Sequence, residues 1–411
     1  MSGQPRERVG VVLMGGGARG AYEAGALSVL GPALERRGQR PTIYVGSSVG
    51  AINAVAMASM GHLSADEAAR RGVERWSHAV KASVLRPLLA QQVPRLAARY
   101  AARLAAPRRV RVQSVLDPTP LGPSLRRWID WRNLHRNVGS RLVESVAVTA
   151  TDATTGRTVA FVERSGRGVG HRSHAIEYLP TQLTVEHLLA SSAMPMLFPA
   201  VAVEGPSSDR AWYLDGSTRL HNPLKPALDL GTERLVVIGT TPLKRGTDTP
   251  ARQPALAAGA LCVLNGLLED SLYDDVRALA NVNQFFAAVR PGTEAAVRFR
   301  RARGKPPYRE VPYLLIAPSR QGAIADVAAA VFDACYRGRR ALRSPDLPLL
   351  ARALGDSGPM LYELLSYFLF DSDFTAELIE MGRRDAHRVL ASAKDDEGPW
   401  RTEPPAALLA A

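Results

Sequence analysis

Apolar residues in this chain fall into short continuous runs, and stretches with helical spacing separate them. Residues 9–14 and 42–45 are two such runs within the first fifty positions. Each is too short for a helix and predicts a strand buried on both faces. Between them, residues 18–37 carry Tyr22, Leu27, Leu30 and Leu34 on a roughly helical period, and residues 48–60, rich in Ala and Met, predict a second helix. Strand signals return at 142–149, 158–162, 211–214, 234–240 and 311–317, with a helix at 184–193 that Pro195 ends. Strand, turn and helix in repeated order predict an α/β fold of three layers, α/β/α, around a central, mostly parallel sheet.

Two regions depart from that rhythm. Residues 64–140 show no strand and read as helices joined at Pro87, Pro94, Pro107 and Pro118, which predicts a helical insertion over the sheet's edge or mouth. Residues 254–281 look helical, and 323–392 read as nearly all helix, broken near Pro345, Pro348 and residues 355–359. The expected organisation is one catalytic-sized domain over 8–320, containing the insertion at about 64–140. A helical C-terminal segment at 321–396 packs on it, and a loose tail follows at 397–411, where Pro399, Pro404 and Pro405 lie. The apolar stretch 361–370 reads as core before dimer contact, and no internal repeat appears; nothing in the spacing sets an oligomeric state.

Composition narrows the partners. No run of 18 apolar residues lacks charges, so no bilayer-spanning helix is expected, and the first apolar run is too short for a secretory signal. A cytoplasmic protein, peripheral at the membrane, is the expectation. Cys262 and Cys335 give no metal-binding spacing and read as two buried thiols. A net charge of +13 favours polyanions, nucleic acid or anionic lipid. No zinc-finger spacing, basic zipper or aromatic sheet signature accompanies it, so nucleic acid is not expected. Residues 81–111 hold eight Lys or Arg and no acid. Within them Arg95, Arg99 and Arg103 recur every four residues on one helix face, a predicted contact for an anionic membrane; a solvated helix is the plain alternative.

Two glycine-bearing turns carry the chemistry. Gly15-Gly16-Gly17-Ala18-Arg19-Gly20 joins the first strand to the first helix, where glycines and a helix N-terminus present N–H groups to a phosphate or a reaction oxyanion. The same residues fit a dinucleotide fingerprint, but that reading needs an acidic residue at the end of the second strand, which instead ends in Gly46-Ser47-Ser48. Gly46-Ser47-Ser48-Val49-Gly50 matches the nucleophile-elbow pattern in the required strand–turn–helix setting. Ser48 is the candidate nucleophile, with the Val49 N–H placed for an oxyanion; a helix-capping serine is the plain alternative. A serine needs a base. His221 and His387 fit the usual chain order without a telling context, and His187 reads as structural. Trp212-Tyr213-Leu214-Asp215-Gly216-Ser217 puts an aspartate at the end of an apolar strand, where it is either a base for Ser48 or an Asp-Gly turn.

With the glycine-rich loop at 15–20, the elbow at 46–50 and the Asp-Gly pair at 215–216 in that order, the sequence resembles the patatin-like phospholipases. The stretches Ala190-Ser191-Ser192-Ala193-Met194-Pro195 with Phe198-Pro199, and Val148-Thr149-Ala150-Thr151-Asp152 with Thr155-Gly156, strengthen the resemblance, which spans roughly residues 8–320. It implies the three-layer patatin-like fold and a Ser48–Asp215 dyad without histidine. It implies an oxyanion hole from Gly15, Gly16, Gly17 and Val49, with Arg19, Gly20, Gly46, Gly50 and Gly216 as motif support. It implies hydrolysis of fatty acyl esters of phospholipids or other acyl-ester lipids, with no metal and no cofactor. One departure stands out: the family has Gly or Ala after the Asp-Gly pair, and here Ser217 follows, with a hydroxyl able to compete for Asp215. A soluble carboxylesterase or acyltransferase with the same dyad, and a catalytically silent lipid-binding protein, remain alternatives at this point.

Overall fold

The runs VGVVL, RLVVI and YLLI become strands because each buries nearly every residue, which only a sheet covered on both faces permits. The computed structural model describes residues 7–86, 116–166, 175–195, 197–204, 210–220, 223–242, 272–289, 294–302, 309–336, 359–392 and 398–405.

In the first half, β1 (Val9–Leu13) leads to α1 (Gly20–Arg36), then β2 (Pro41–Ser47), α2 (Val49–Ser59), α3 (Ala65–Ser77) and the single turn α4 (Lys81–Val84). Helices α5 (Leu121–Trp128) and α6 (Trp131–Gly139) precede β3 (Ser145–Asp152), β4 (Thr158–Arg164) and β5 (Ile176–Pro180). Next come α7 (Val185–Ser191), β6 (Val201–Glu204), β7 (Arg210–Asp215), α8 (Leu224–Asp229) and β8 (Arg234–Ile238). The remainder holds α9 (Leu272–Val289), α10 (Glu294–Arg301), β9 (Tyr313–Ile316), α11 (Ala323–Cys335), α12 (Pro359–Leu365) and α13 (Ser372–Ala391).

Nine strands form one sheet in the order β5-β4-β3-β2-β1-β8-β9, with β7 added to β3 and β6 to β7. The central block β3-β2-β1-β8-β9 is wholly parallel. The alternation of side chains along β1 divides the core into two layers. Val9, Val11 and Leu13 join the cluster that contains α1, α2, α3 and α13, whereas Val12 and Met14 join the cluster built on α8 and α9. The three-layer α/β/α fold read from the sequence is therefore the fold observed. The described helices of the insertion lie at the mouth of the sheet; the residues from 87 to 115, with Arg95, Arg99 and Arg103, lie outside the described residues, as does Cys262.

The C-terminal helices meet the sheet domain closely. A Cβ on Gly25 of α1 would come within 2.0 Å of the Ile379 carbonyl oxygen, and one on Gly382 of α13 within 2.1 Å of that of Tyr22. Two facing glycines thus let α1 and α13 touch backbone to backbone, and Tyr22 donates from its hydroxyl to Asp385 at 2.8 Å across the contact.

Several expectations are corrected. The tail expected to hang loose from residue 397 is tied down over 398–405: Arg401 and Tyr313 exchange backbone hydrogen bonds, extending the outer edge of β9, and Trp400 donates from Nε1 to Gln39 at 2.9 Å. Strands β5 and β6 were not foreseen, because their sequences, IEYLP and VAVE, mix charged residues with apolar ones as edge strands do. The strand expected from 142 begins at Ser145, with Leu142 exposed. Cys335 is only partly buried.

Candidate active site

The parallel strands β1 and β2 end side by side, and both motifs sit at those ends. Strand β2 passes into α2 through one residue, so Ser48 alone must reverse the chain. It does so at φ 54° and ψ −127°, a region that costs a side-chain-bearing residue about 1–3 kcal/mol. The flanking glycines make the turn feasible: a Cβ on Gly46 would lie 2.3 Å from the Gly50 oxygen, and one on Gly50 would lie 2.4 Å from the Leu13 oxygen. Ser191 holds the strained residue in place. The Ser48 N–H donates to Ser191 Oγ at 2.9 Å, and that hydroxyl donates to the Thr149 carbonyl at 2.6 Å.

Asp215 reaches the same place from the opposite direction. β2 pairs with β3 up to Ser47 opposite Thr149. There the chain turns away, and β7, running antiparallel, takes over with Asp215 opposite Ala150. The aspartate backbone is pinned on both sides, its N–H donating to Ala193 O at 2.9 Å and its carbonyl accepting from Thr151 Oγ1 at 3.1 Å. Gly216 passes so close that a Cβ would meet Thr149 O at 2.4 Å.

The carboxyl is buried. Oδ1 accepts the Ser217 N–H at 2.8 Å. Oδ2 has no hydrogen-bond partner. Burial pushes the carboxyl from 3.8 up to about 6, against the opposing pull of the Ser48 hydroxyl and of Ser217. The Ser48 hydroxyl is thus near enough to favour the charged carboxyl while closing no hydrogen bond to Oδ2. The Ser217 hydroxyl also favours the charge, yet its hydrogen bond is to Ser47 Oγ at 3.1 Å. Ser217 fills the space beside the glycine loop, since a Cβ on Gly15 would lie 2.6 Å from its Oγ and 3.1 Å from Ser48 Cβ.

The glycine loop therefore stands directly against Ser48. Gly16 and Gly17 take φ 153° and 57°, values open to glycine. The N–H groups of Gly16, Gly17 and Val49 meet no acceptor among the described residues. The loop's support comes from far along the chain. Ala18 N–H donates to Tyr367 O at 3.0 Å. Arg19, fully buried, donates from Nη2 to Glu363 Oε1 at 2.6 Å and to its carbonyl at 2.8 Å, and from Nε to Ser366 Oγ at 2.8 Å. Its guanidinium also stacks 3.9 Å above the Tyr367 ring. Behind the loop, Asn53 donates to Gly20 O and to the buried Glu23, and accepts from Trp76 Nε1. Burial raises the Glu23 carboxyl well above its ordinary value.

An apolar groove runs from Ser48 along α2, enclosing a cavity of about 100 Å³. Ile52, Met57 and Met60 form its floor, Trp76 and Trp128 line it from the insertion, and Phe368 lines it from the C-terminal segment.

The histidine alternatives find no place beside Ser48 among the described residues. His187 accepts the Thr184 N–H at 3.0 Å, and burial holds it down at about 4. His62, His78 and His135 hydrogen-bond elsewhere, and His387 is exposed. His171, His174 and His221 lie outside the described residues. The sequence reading missed Glu363, Ser366 and Tyr367, which no local pattern connects to residues 15–19. It also missed the part played by Ser191, although the stretch containing it had been singled out.

The sequence pattern of the patatin-like phospholipase family matches residues 11–228, more than half of the 411. Among solved structures, VipD from Legionella pneumophila aligns at 12% identity and a TM-score of 0.29, covering 98% of this chain and 89% of that one. The ExoU–SpcU complex from the type III secretion system of Pseudomonas aeruginosa aligns at 18% identity and a TM-score of 0.24, covering 99% and 74%. No curated protein sequence matches. With the elbow, the glycine loop and the Asp-Gly turn gathered at one end of the sheet, and the family pattern running through all three, this chain belongs to the patatin-like phospholipase family.

Proposed function

We propose that this protein is a serine acyl hydrolase that cleaves fatty acyl esters of phospholipids or related lipids through Ser48 and Asp215. The observation that carries the reading is the meeting of a strained elbow serine with a buried aspartate at the head of an apolar groove. A carboxyl at about 6 is still mostly ionised near neutral pH, yet it is a far better base than one at 3.8.

In the acylation step Asp215 takes the proton from Ser48 Oγ as that oxygen attacks the ester carbonyl carbon. The carbonyl π pair moves onto oxygen, where N–H groups of Gly15, Gly16, Gly17 and Val49 hold it; each such donor contributes about 3 kcal/mol in well-measured cases. Collapse breaks the bond to the alcohol, which leaves with the proton from Asp215. Asp215 then deprotonates water, water attacks the acyl-serine, and the fatty acid departs as Ser48 recovers its proton. The acyl chain lies in the groove between α2 and the insertion. The net charge of +13 favours peripheral contact with an anionic lipid surface.

Fatty acid release from mixed phosphatidylcholine and phosphatidylglycerol vesicles tests this, with chelator present. The wild type is expected to release fatty acid, and Ser48→Ala and Asp215→Asn are not. Equal release by all three would remove the dyad. Turnover of soluble esters with none on vesicles would move the reading to a soluble esterase.

A further inference from the structure

One cation in the groove wall has no hydrogen-bond acceptor or ion-pair partner among the described residues. Arg75, near the end of α3, lines the apolar groove. Its Nη1 is buried and among the described residues has no hydrogen-bond acceptor. The two acids whose charge it feels are engaged elsewhere: Asp130 caps α6 by accepting from the N–H and Nδ2 of Asn133 at 2.9 and 2.7 Å, and Glu74 faces Arg70 at 3.6 Å. Among the described residues no ion pair includes Arg75. Arg19, fully buried behind the glycine loop, is held by a carboxylate, a carbonyl, a hydroxyl and a ring, whereas among the described residues no hydrogen bond or ion pair ends on the Arg75 guanidinium. A partly desolvated guanidinium without a partner carries a cost, and such costs concentrate at ligand sites.

Resting on the hydrolase reading above, we propose that Arg75 is an anion-binding residue of the groove, taking the phosphodiester of an acyl phospholipid while the ester lies at Ser48. The reacting ester is uncharged, so the anion carried by an acyl lipid close to that ester is its phosphate. The planar guanidinium fork matches two phosphate oxygens at once, and a low-polarity wall strengthens that bond. The unpaired charge in the free protein is then a device for choosing among lipids: phosphate-bearing substrates neutralise it, and neutral glycerides leave it half-buried without a partner.

Short-chain lipids below their micellar concentration keep surface binding out of the test. The measured quantity is the preference, kcat/KM on dihexanoylphosphatidylcholine divided by kcat/KM on dihexanoylglycerol, for the wild type, Arg75→Gln and Arg75→Lys. Arg75→Gln is expected to lower that preference about tenfold to a hundredfold, with Arg75→Lys between the two. Arg75→Gln is also expected to unfold at a temperature no lower than the wild type, because an uncompensated charge has been removed. An unchanged preference, or a fall of several degrees in the unfolding temperature with equal loss on both lipids, would overturn the inference. So would hexanoate inhibition that Arg75→Gln abolishes while the preference stays fixed, since the anion would then be the product carboxylate. Wild-type turnover of either lipid sustains the hydrolase reading whatever Arg75 does; wild type silent on both overturns the two together.

Discussion

The carbonyl oxygen of Tyr367 lies 2.2 Å from the point where a side chain on Gly17 would begin. The glycine loop and the C-terminal segment are therefore in backbone contact, and the loop's shape is set against a residue outside the span that the family pattern matches. Gly17→Ala must strain a φ of 57° and push Tyr367 away. We expect kcat to fall about a hundredfold or more, as it does when an oxyanion donor is lost. Single-turnover kinetics on a soluble ester will show whether the loss lies in acylation.

Under the proposed mechanism Arg19 acts at one remove from the reacting atoms, as a positioning residue. Arg19→Lys keeps a charge for Glu363 but loses the hydrogen bond to Ser366 and the planar stack on Tyr367. The expected result is a drop in kcat of about tenfold with KM nearly unchanged, because the loop moves and the groove does not. A rise in KM at constant kcat would place Arg19 in substrate binding instead.

As the proposed base, Asp215 is expected to set the acid limb of the pH profile. Its carboxyl is raised from 3.8 to about 6, chiefly by burial, so kcat/KM is expected to rise with pH and level off above an apparent pKa of about 6. An acid limb near 4 would mean that the carboxyl is solvated in the working enzyme.

The same shift makes a statement about stability. Below 3.8 both folded and unfolded chains hold the proton, and there is no penalty. As pH rises toward 6 the unfolded chain releases it and the folded chain does not, so stability falls through that window and the full penalty stands above it. Two units correspond to about 2–3 kcal/mol. Asp215→Asn is expected to be more stable than the wild type at about pH 8, with the difference shrinking toward pH 4 in paired denaturant titrations.

Groove length should govern chain preference. Gly72 of α3 faces Met57 across the groove, 3.8 Å separating the Met57 sulfur from the position of a Cβ. Gly72→Leu fills that gap and improves the helix by roughly 0.8 kcal/mol. We expect kcat/KM for palmitoyl esters to fall about tenfold relative to octanoyl esters, measured in one assay with both chains competing.

The central strands and the elbow were legible because their signals are local. VGVVL needs only its own apolar residues to read as a buried strand, and Gly46 and Gly50 announce a turn within five positions. Strand-end position left Asp215 as either a base for Ser48 or an Asp-Gly turn, and the family resemblance alone favoured the first. The physical cause of the Ser48–Asp215 meeting, β7 taking over from β2 along one edge of β3, is a pairing between distant segments that periodicity cannot register. The same holds for Arg19 with Glu363 and for Tyr313 with Arg401, where neither partner's local sequence points to the other until the fold brings them together. Edge strands β5 and β6 escaped for the opposite reason, since their sequences were local but too mixed to stand out.

The anchoring of the glycine loop also has a consequence in time. Residues 15–19 leave the ribosome early, and their fixed partners at Glu363, Ser366 and Tyr367 are made some 345 residues later. A nascent chain that has already produced Ser48 and Asp215 still carries an unclamped loop and a groove lacking its Phe368 wall. Synthesis itself thus delays assembly of the site, and a half-made chain meets the cell's lipids with the loop and groove around Ser48 incomplete.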